Sequence, residues 1–204
     1  MLKEKFTAII IKYVPESAMA YCVELWDRYR FSFKVSRERK SKLGDYRFHK
    51  QKKVHVITVN GSLNPYGFLI TYIHEVAHLV HFELSGINQP PHGKIWKRIF
   101  RELMIPTLIP EIFPEDLLLH LKKHMRNPKA SSCSDPQLAR IIKKYDGERP
   151  LHEQFLEEID PGEMFRLNGN TYEKMEKRRT RSLCRDIKNG KRYLISEMAM
   201  VKKI

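Results

Sequence analysis

Tyr72-Ile-His-Glu-Val-Ala-His-Leu-Val-His81 is the stretch that decides how this chain folds and which chemistry it can carry. Its apolar pattern continues upstream through Phe68 and Leu69, and Pro65 suits the first turn of a helix. We therefore expect one helix from about Pro65 to Leu84, stopped by Ser85-Gly86. Inside it lies His74-Glu75-Val76-Ala77-His78, an H-E-x-x-H box. Residues four apart share a helix face, so His74 and His78 can turn their imidazoles to a single Zn²⁺. Glu75 sits beside that pair, where a carboxylate can take a proton from a zinc-activated water. An unpaired polar group in a core costs about 1–3 kcal/mol, so three histidines and a glutamate on an apolar helix need a reason. A zinc site is such a reason, and the pattern points to peptidase chemistry.

Zinc sites usually take three protein ligands, and three further candidates exist. His81 lies near the same helix face but a further turn along, too far to close on the same ion without distorting the helix. Glu102 has a spacing compatible with a glutamate ligand, yet it falls on the flank of the apolar stripe Trp96, Ile99, Phe100 and Leu103. His92 sits in Pro90-Pro91-His92-Gly93-Lys94-Ile95-Trp96, a loop-to-helix junction from which a side chain can point back at the preceding helix. The junction favours His92, with Glu102 as the alternative.

An H-E-x-x-H helix, a short loop and an H-G-x-x-W opening to the next helix together resemble the SprT-like metallopeptidases. Their relatives include the Spartan-type proteases that degrade protein crosslinked to DNA. The matching residues are His74, Glu75, His78, His92, Gly93 and Trp96, and the likeness spans roughly residues 10–125. The resemblance implies one Zn²⁺ per chain held by His74, His78 and His92, with Glu75 as the catalytic base. It also implies an α+β, zincin-like domain: a small mixed sheet plus the H-E-x-x-H helix. One departure stands out. Many relatives end in a four-cysteine zinc ribbon, but Cys22, Cys133 and Cys184 are scattered here with no C-x-x-C pair. A second, structural zinc is not expected.

The 204 residues suit one domain plus a small appendage, and a 42% hydrophobic content can build a core. No apolar run is long enough to span a membrane, and Phe6–Ile11 is too short for a signal-peptide core. Dispersed cysteines argue against a disulfide framework. We expect a cytoplasmic monomer with no membrane partner, acting on a protein or peptide substrate. The net charge of +14 concentrates in residues 34–53 and 173–204. Such clusters suit phosphate-backbone binding, so DNA is a candidate partner, with Lys50, Lys52, Lys53, Arg178, Arg179 and Arg181 as candidate contacts. Phe31, Phe33, Tyr46 and Phe48 could stack bases, but their strand-like alternation favours core packing for most.

Along the chain, Glu16–Tyr29 reads as a helix, and Phe31–Ser36, Tyr46–His49 and Val54–Asn60 read as strands, with a turn at Leu43-Gly44-Asp45. The resemblance suggests that Val54–Asn60 or its neighbour is a free edge for an extended substrate. Two more helices are expected at Gly93–Leu103 and Glu115–Met125, separated by the proline-rich, irregular stretch 105–114. The domain boundaries follow: 1–126 for the zincin-like domain, 127–150 for a linker, and 151–204 for a small β-hairpin module, ribbon-like without metal. Asn168-Gly169 and Asn189-Gly190 mark its hairpins. Tyr66, Tyr72 and His81 are the candidates to steady an oxyanion. The function expected is hydrolysis of peptide bonds in proteins, including proteins bound or crosslinked to DNA. Its rival is a nucleic-acid-binding module with a structural metal and no proteolysis.

Overall fold

A computed structural model describes residues 2–39, 42–86, 89–129, 135–147 and 153–204. The chain is α+β and divides into two units, residues 1–146 and 147–204.

The first unit opens with helices α1 (Lys3–Ile10) and α2 (Met19–Tyr29), the latter entered through a 3₁₀ turn at Glu16–Ala18. Three strands follow: β1 (Ser32–Ser36), β2 (Gly44–His49) and β3 (Val54–Asn60). β3 lies in the middle, parallel to β1 and antiparallel to β2. Val54–Asn60 is therefore not a free edge, and its neighbour β2, next to the motif helix, has no partner on its outer side among the described residues. The expected turn at Gly44-Asp45 is also corrected, since both residues belong to β2 and pair with Val59 and Thr58.

The motif helix α3 runs Pro65–Ser85. The Asn64 side chain caps it by accepting from the Gly67 N–H at 2.9 Å, and Pro65 occupies the first turn, where no N–H is needed. Gly86 ends it at φ 66°, a conformation that favours glycine. α3 is apolar on most sides because it is packed on most sides. One side meets the sheet through β2 and β3, and another meets α4 (Lys94–Met104). Phe6, Trp26, Phe33, Phe68 and Tyr72 form the aromatic heart of the core, with ring centroids 5.2 Å apart for Phe6–Trp26 and 5.7 Å for Phe33–Tyr72.

Residues 105–114 are irregular apart from a 3₁₀ turn at Ile105–Thr107, and α5 spans Glu115–Met125 as expected. The linker expected over 127–150 needs correction. Pro136–Lys143 form helix α6, whose Leu138, Ile141 and Ile142 are buried in the first unit's core. Asn64 Nδ2 donates to the Ile142 carbonyl at 2.9 Å, tying α6 to the start of α3. The domain thus extends to about residue 146.

The second unit holds β4 (Glu153–Phe155), β5 (Met164–Leu167), β6 (Asn170–Arg178), β7 (Arg181–Asp186), β8 (Arg192–Ser196) and β9 (Met200–Lys203). They form one antiparallel sheet in the order β4-β9-β5-β6-β7-β8 over a small core of Leu156, Ile159, Phe165, Cys184 and Val201. Asn168 and Gly169 join β5 to β6 as a two-residue turn with φ 52° and 82°. Asn189-Gly190 instead belongs to a longer loop, 187–190, closed by the Asp186 N–H donating to the Lys191 carbonyl. Only Gly190 needs positive φ there. Cys22 and Cys184 are buried and free, and Cys133 lies outside the described residues. Among the described residues, no helix is long and apolar enough to cross a membrane.

Candidate metal centre

α3 and α4 build the site between them. His74 and His78 lie one turn apart on α3, and His92 stands in the turn before Gly93, which opens α4. Their rings converge: His74 Nε2 is 3.1 Å from His78 Nε2 and 3.4 Å from His92 Nε2. One ligating atom from each lies within 4.8 Å of the others, so the trio could hold a metal ion. Trp96, fully buried on α4, packs its ring 4.7 Å from His74, 5.2 Å from His78 and 4.7 Å from His92. Phe100 stacks behind Trp96 at 5.0 Å. These two rings wall the trio from one side and fix the imidazole orientations.

Burial dominates the electrostatics. It holds His74 well below the ordinary imidazole value, reinforced by His78, His92 and the more distant His124. His78 is pushed down to about 3 by burial and then by His92 and His81. His92 is lowered by burial, His81 and Lys97. Near neutral pH all three rings are therefore uncharged, with lone pairs available to a cation.

Glu75 faces β2. Burial raises its carboxyl to about 8, Asp45 adds to the rise, and Arg39, Lys42 and the Tyr46 N–H oppose it. A β-carbon on Gly44 would come within 2.5 Å of Glu75 Oε1 and 2.7 Å of Thr71 Cγ2, so only glycine admits the carboxylate this close to the strand. Gly44 is the site residue missed in the sequence. Its signal was a glycine inside an alternating stretch, which marks close approach as readily as a turn.

The other candidates separate. Glu102 faces solvent, its side chain 62% exposed and 3.7 Å from Arg98, away from the imidazole trio. The Tyr72 hydroxyl donates to the Cys22 carbonyl at 2.8 Å in the core and is not free for an oxyanion. Tyr66 packs its ring on Phe113 and Tyr145. His81 is buried near the site, and its Nε2 has no hydrogen-bond partner among the described residues. Phe31 and Phe33 are core residues. Lys50, Lys52 and Lys53 are exposed on the β2–β3 turn, while Arg178, Arg179 and Arg181 are exposed at the β6–β7 hairpin of the second unit.

Comparison with known families fits this geometry. The model of the SprT-like family matches residues 16–112, from the turn before α2 to beyond α4. Over residues 16–112 the chain is similar to the SprT-like family. All three imidazoles, Glu75, Gly44 and Trp96 fall within this SprT-like span, whereas α5, α6 and the second unit lie beyond it. No curated protein and no solved structure shows significant similarity to the chain.

Proposed function

We propose that the chain is a zinc-dependent endopeptidase of zincin-like fold, with proteins bound or crosslinked to DNA as its substrate class. The observation that carries this reading is the convergence of three neutral imidazoles with a buried carboxylate on the adjacent helix position. The donor set supports zinc. A tetrahedral ion with bonds of about 2.0–2.1 Å keeps its ligand nitrogens roughly 3.3–3.4 Å apart. Nitrogen contacts of 3.1 and 3.4 Å suit such an ion, and an all-nitrogen set suits zinc over magnesium or calcium.

His74, His78 and His92 would hold the zinc. When bound, it supplies a Lewis acid that lowers the pKa of its water toward about 7 and polarises the scissile carbonyl. Glu75 takes the proton of the attacking water and returns it to the leaving amine. Burial favours a proton on its carboxyl, which suits carrying that proton to the leaving amine, and the Tyr46 N–H and Gly44 hold the carboxylate in place. Trp96 and Phe100 keep bulk water from one side of the ligands. A purely structural metal site gains nothing from a carboxylate held in this way, which weighs against the rival reading of a non-proteolytic binding module.

The test is cleavage of casein and of a DNA-bound protein by the zinc-loaded chain, with and without DNA, beside Glu75→Gln. The substitution removes a base without touching a ligand. It should retain zinc and lose about 10²–10⁴-fold in rate. Cleavage at the parent rate by Glu75→Gln would remove Glu75 from the mechanism.

A further inference from the structure

Gly44, Tyr46 and Phe48 alternate along β2 on the face turned to α3, opposite Val59, Ile57 and His55 of β3. The character of this face changes along its length. At the Gly44 end it lies under Thr71 and Glu75, and Ile57 and Val59 are fully buried. At the other end Tyr46, Phe48, His55 and Phe82 are all only half-buried. Phe48 stands 4.8 Å from Phe82 and 4.8 Å from His55 between ring centroids. Neither Phe48 nor Phe82 belongs to the main core.

The aromatic group is held in place. The Tyr46 hydroxyl is hydrogen-bonded to His55 Nδ1 at 2.9 Å, His55 Nε2 is 3.7 Å from Glu83 Oε1, and the Tyr46 and His55 rings are stacked. β2 is also the terminal strand of its sheet, with no partner on its outer side among the described residues. An extended polypeptide added to that edge would turn every second side chain to the α3 side, over the Tyr46–Phe48 row.

We propose that Tyr46, Phe48 and Phe82 form a specificity subsite that takes a large apolar or aromatic side chain of an extended polypeptide substrate, about three residues from the scissile bond. This rests on the peptidase reading above. The distance comes from the helix: Glu75 to Phe82 is seven residues, about 10 Å of rise, which an extended chain covers in roughly three residues. A chain lying on the free edge with its scissile bond at Glu75 therefore reaches the rings with a side chain of fixed offset. Pre-positioned rings flanking a strand edge discriminate by burial, and loss of such contacts changes selectivity by about 10–200-fold.

The test uses the zinc-loaded full chain and a peptide mixture varied at each position around the cut, read by mass spectrometry. Cleaved peptides should be enriched in Phe, Tyr, Trp or Leu about three positions from the cut on one side. Phe48→Ala and Phe82→Ala should each lower the aromatic-over-alanine ratio of kcat/KM by about tenfold. Zinc-loaded Glu75→Gln should bind the aromatic peptide more tightly than its alanine counterpart in fluorescence anisotropy. Cleavage without such a preference, or a preference that both substitutions leave unchanged, would overturn the subsite and leave the peptidase reading standing. Absence of any cleavage by the parent protein would overturn both.

Discussion

In the second unit, buried Lys174 donates from Nζ to the Leu156 and Ile159 carbonyls at 2.8 Å and lies 3.6 Å from Glu197. Ser182 donates to the same carboxylate at 2.6 Å, and Lys177 stands 3.2 Å from its other oxygen. In the first unit, His74, His78 and His92 bring ring nitrogens to 3.1 and 3.4 Å of one another, and burial drives protons off all three. Both clusters put polar groups where water is scarce. The lysine–glutamate cluster sets ammonium groups against carbonyls and a carboxylate, leaving only Glu197 Oε2 without a hydrogen bond among the described residues, and so reads as architecture. The imidazole cluster turns three ring nitrogens toward one another, an arrangement in which each can offer a lone pair to one cation.

That difference can be broken by substitution. Lys174→Met leaves the buried Leu156 and Ile159 carbonyls without their donor and removes one of the two ammonium groups beside Glu197, and should destabilise the second unit by about 3–5 kcal/mol. His78→Leu removes a group whose Nε2 meets another imidazole, that of His74, in the metal-free protein and should change first-unit stability by less than about 1 kcal/mol. Both tryptophans, Trp26 and Trp96, lie in the first unit, so fluorescence during urea unfolding follows that unit alone. Hydrogen exchange over residues 153–204 follows the other. Equal losses from the two substitutions would mean the imidazoles also serve the fold.

Zinc sharpens the same contrast from the opposite side. At about 1,000 times its dissociation constant, a ligand that binds only the native state adds about 4 kcal/mol. This gain should appear in tryptophan-monitored unfolding of the first unit and be absent from exchange in the second. His92→Ala should lose most of the retained metal, while Glu102→Ala keeps it, because Glu102 points to solvent beside Arg98. Metal analysis showing the reverse would return Glu102 to the ligand set.

Acid should act on the metal-free centre with a definite sign. The folded pKa values of His74, His78 and His92 lie below the ordinary value near 6.5, His78 at about 3. The unfolded chain therefore binds more protons below pH 6.5, and the stability these rings contribute, present above that pH, is lost as pH falls toward their folded values. Glu75 runs the other way: its folded pKa of about 8 makes stability fall as pH rises from about 4.5 through 8. Metal-free unfolding midpoints should thus decline on both sides of a maximum. Glu75→Gln should flatten the alkaline side only, and an unchanged alkaline limb would refute the buried-carboxylate account.

The sequence revealed local features far better than non-local ones. Pro65 and Ser85-Gly86 bracketed α3 because helix ends are marked by residue types with fixed backbone preferences. Val54–Asn60 and Glu115–Met125 were legible for similar local reasons. The place of β3 between β1 and β2 was not, since strand order depends on pairing across the chain. α6 was hidden by the Ser- and Pro-rich segment before it, although Asp135-Pro136 is a helix start: Asp135 accepts from the Leu138 N–H and Pro136 occupies the first turn. Gly44 reads as a turn residue because a glycine demanded by a neighbouring side chain looks the same as one demanded by a turn. The box His74-Glu75-x-x-His78 and the His92 junction stood out because metal chemistry needs those side chains whatever surrounds them.

The smallest effect concerns the exposed charge, which the buried clusters do not touch. Two basic groups lie in different units: Lys50, Lys52 and Lys53 on the β2–β3 turn, and Arg178, Arg179 and Arg181 at the β6–β7 hairpin. We propose that they contact DNA phosphates. If so, the logarithm of the binding constant should fall linearly with the logarithm of salt, with a slope proportional to the phosphates neutralised. Reversing the charge of the three arginines should flatten that slope if the second unit is the platform. Reversing the three lysines should do so if the platform is the turn beside the free strand. Anisotropy titrations with single-stranded and duplex DNA at two salt concentrations separate these outcomes, with single-stranded or distorted DNA expected to bind more tightly. Binding that is absent at low salt, or insensitive to salt, would remove DNA from the scheme. The imidazole–carboxylate centre would remain as the basis for proteolysis, because no basic residue of either group enters it.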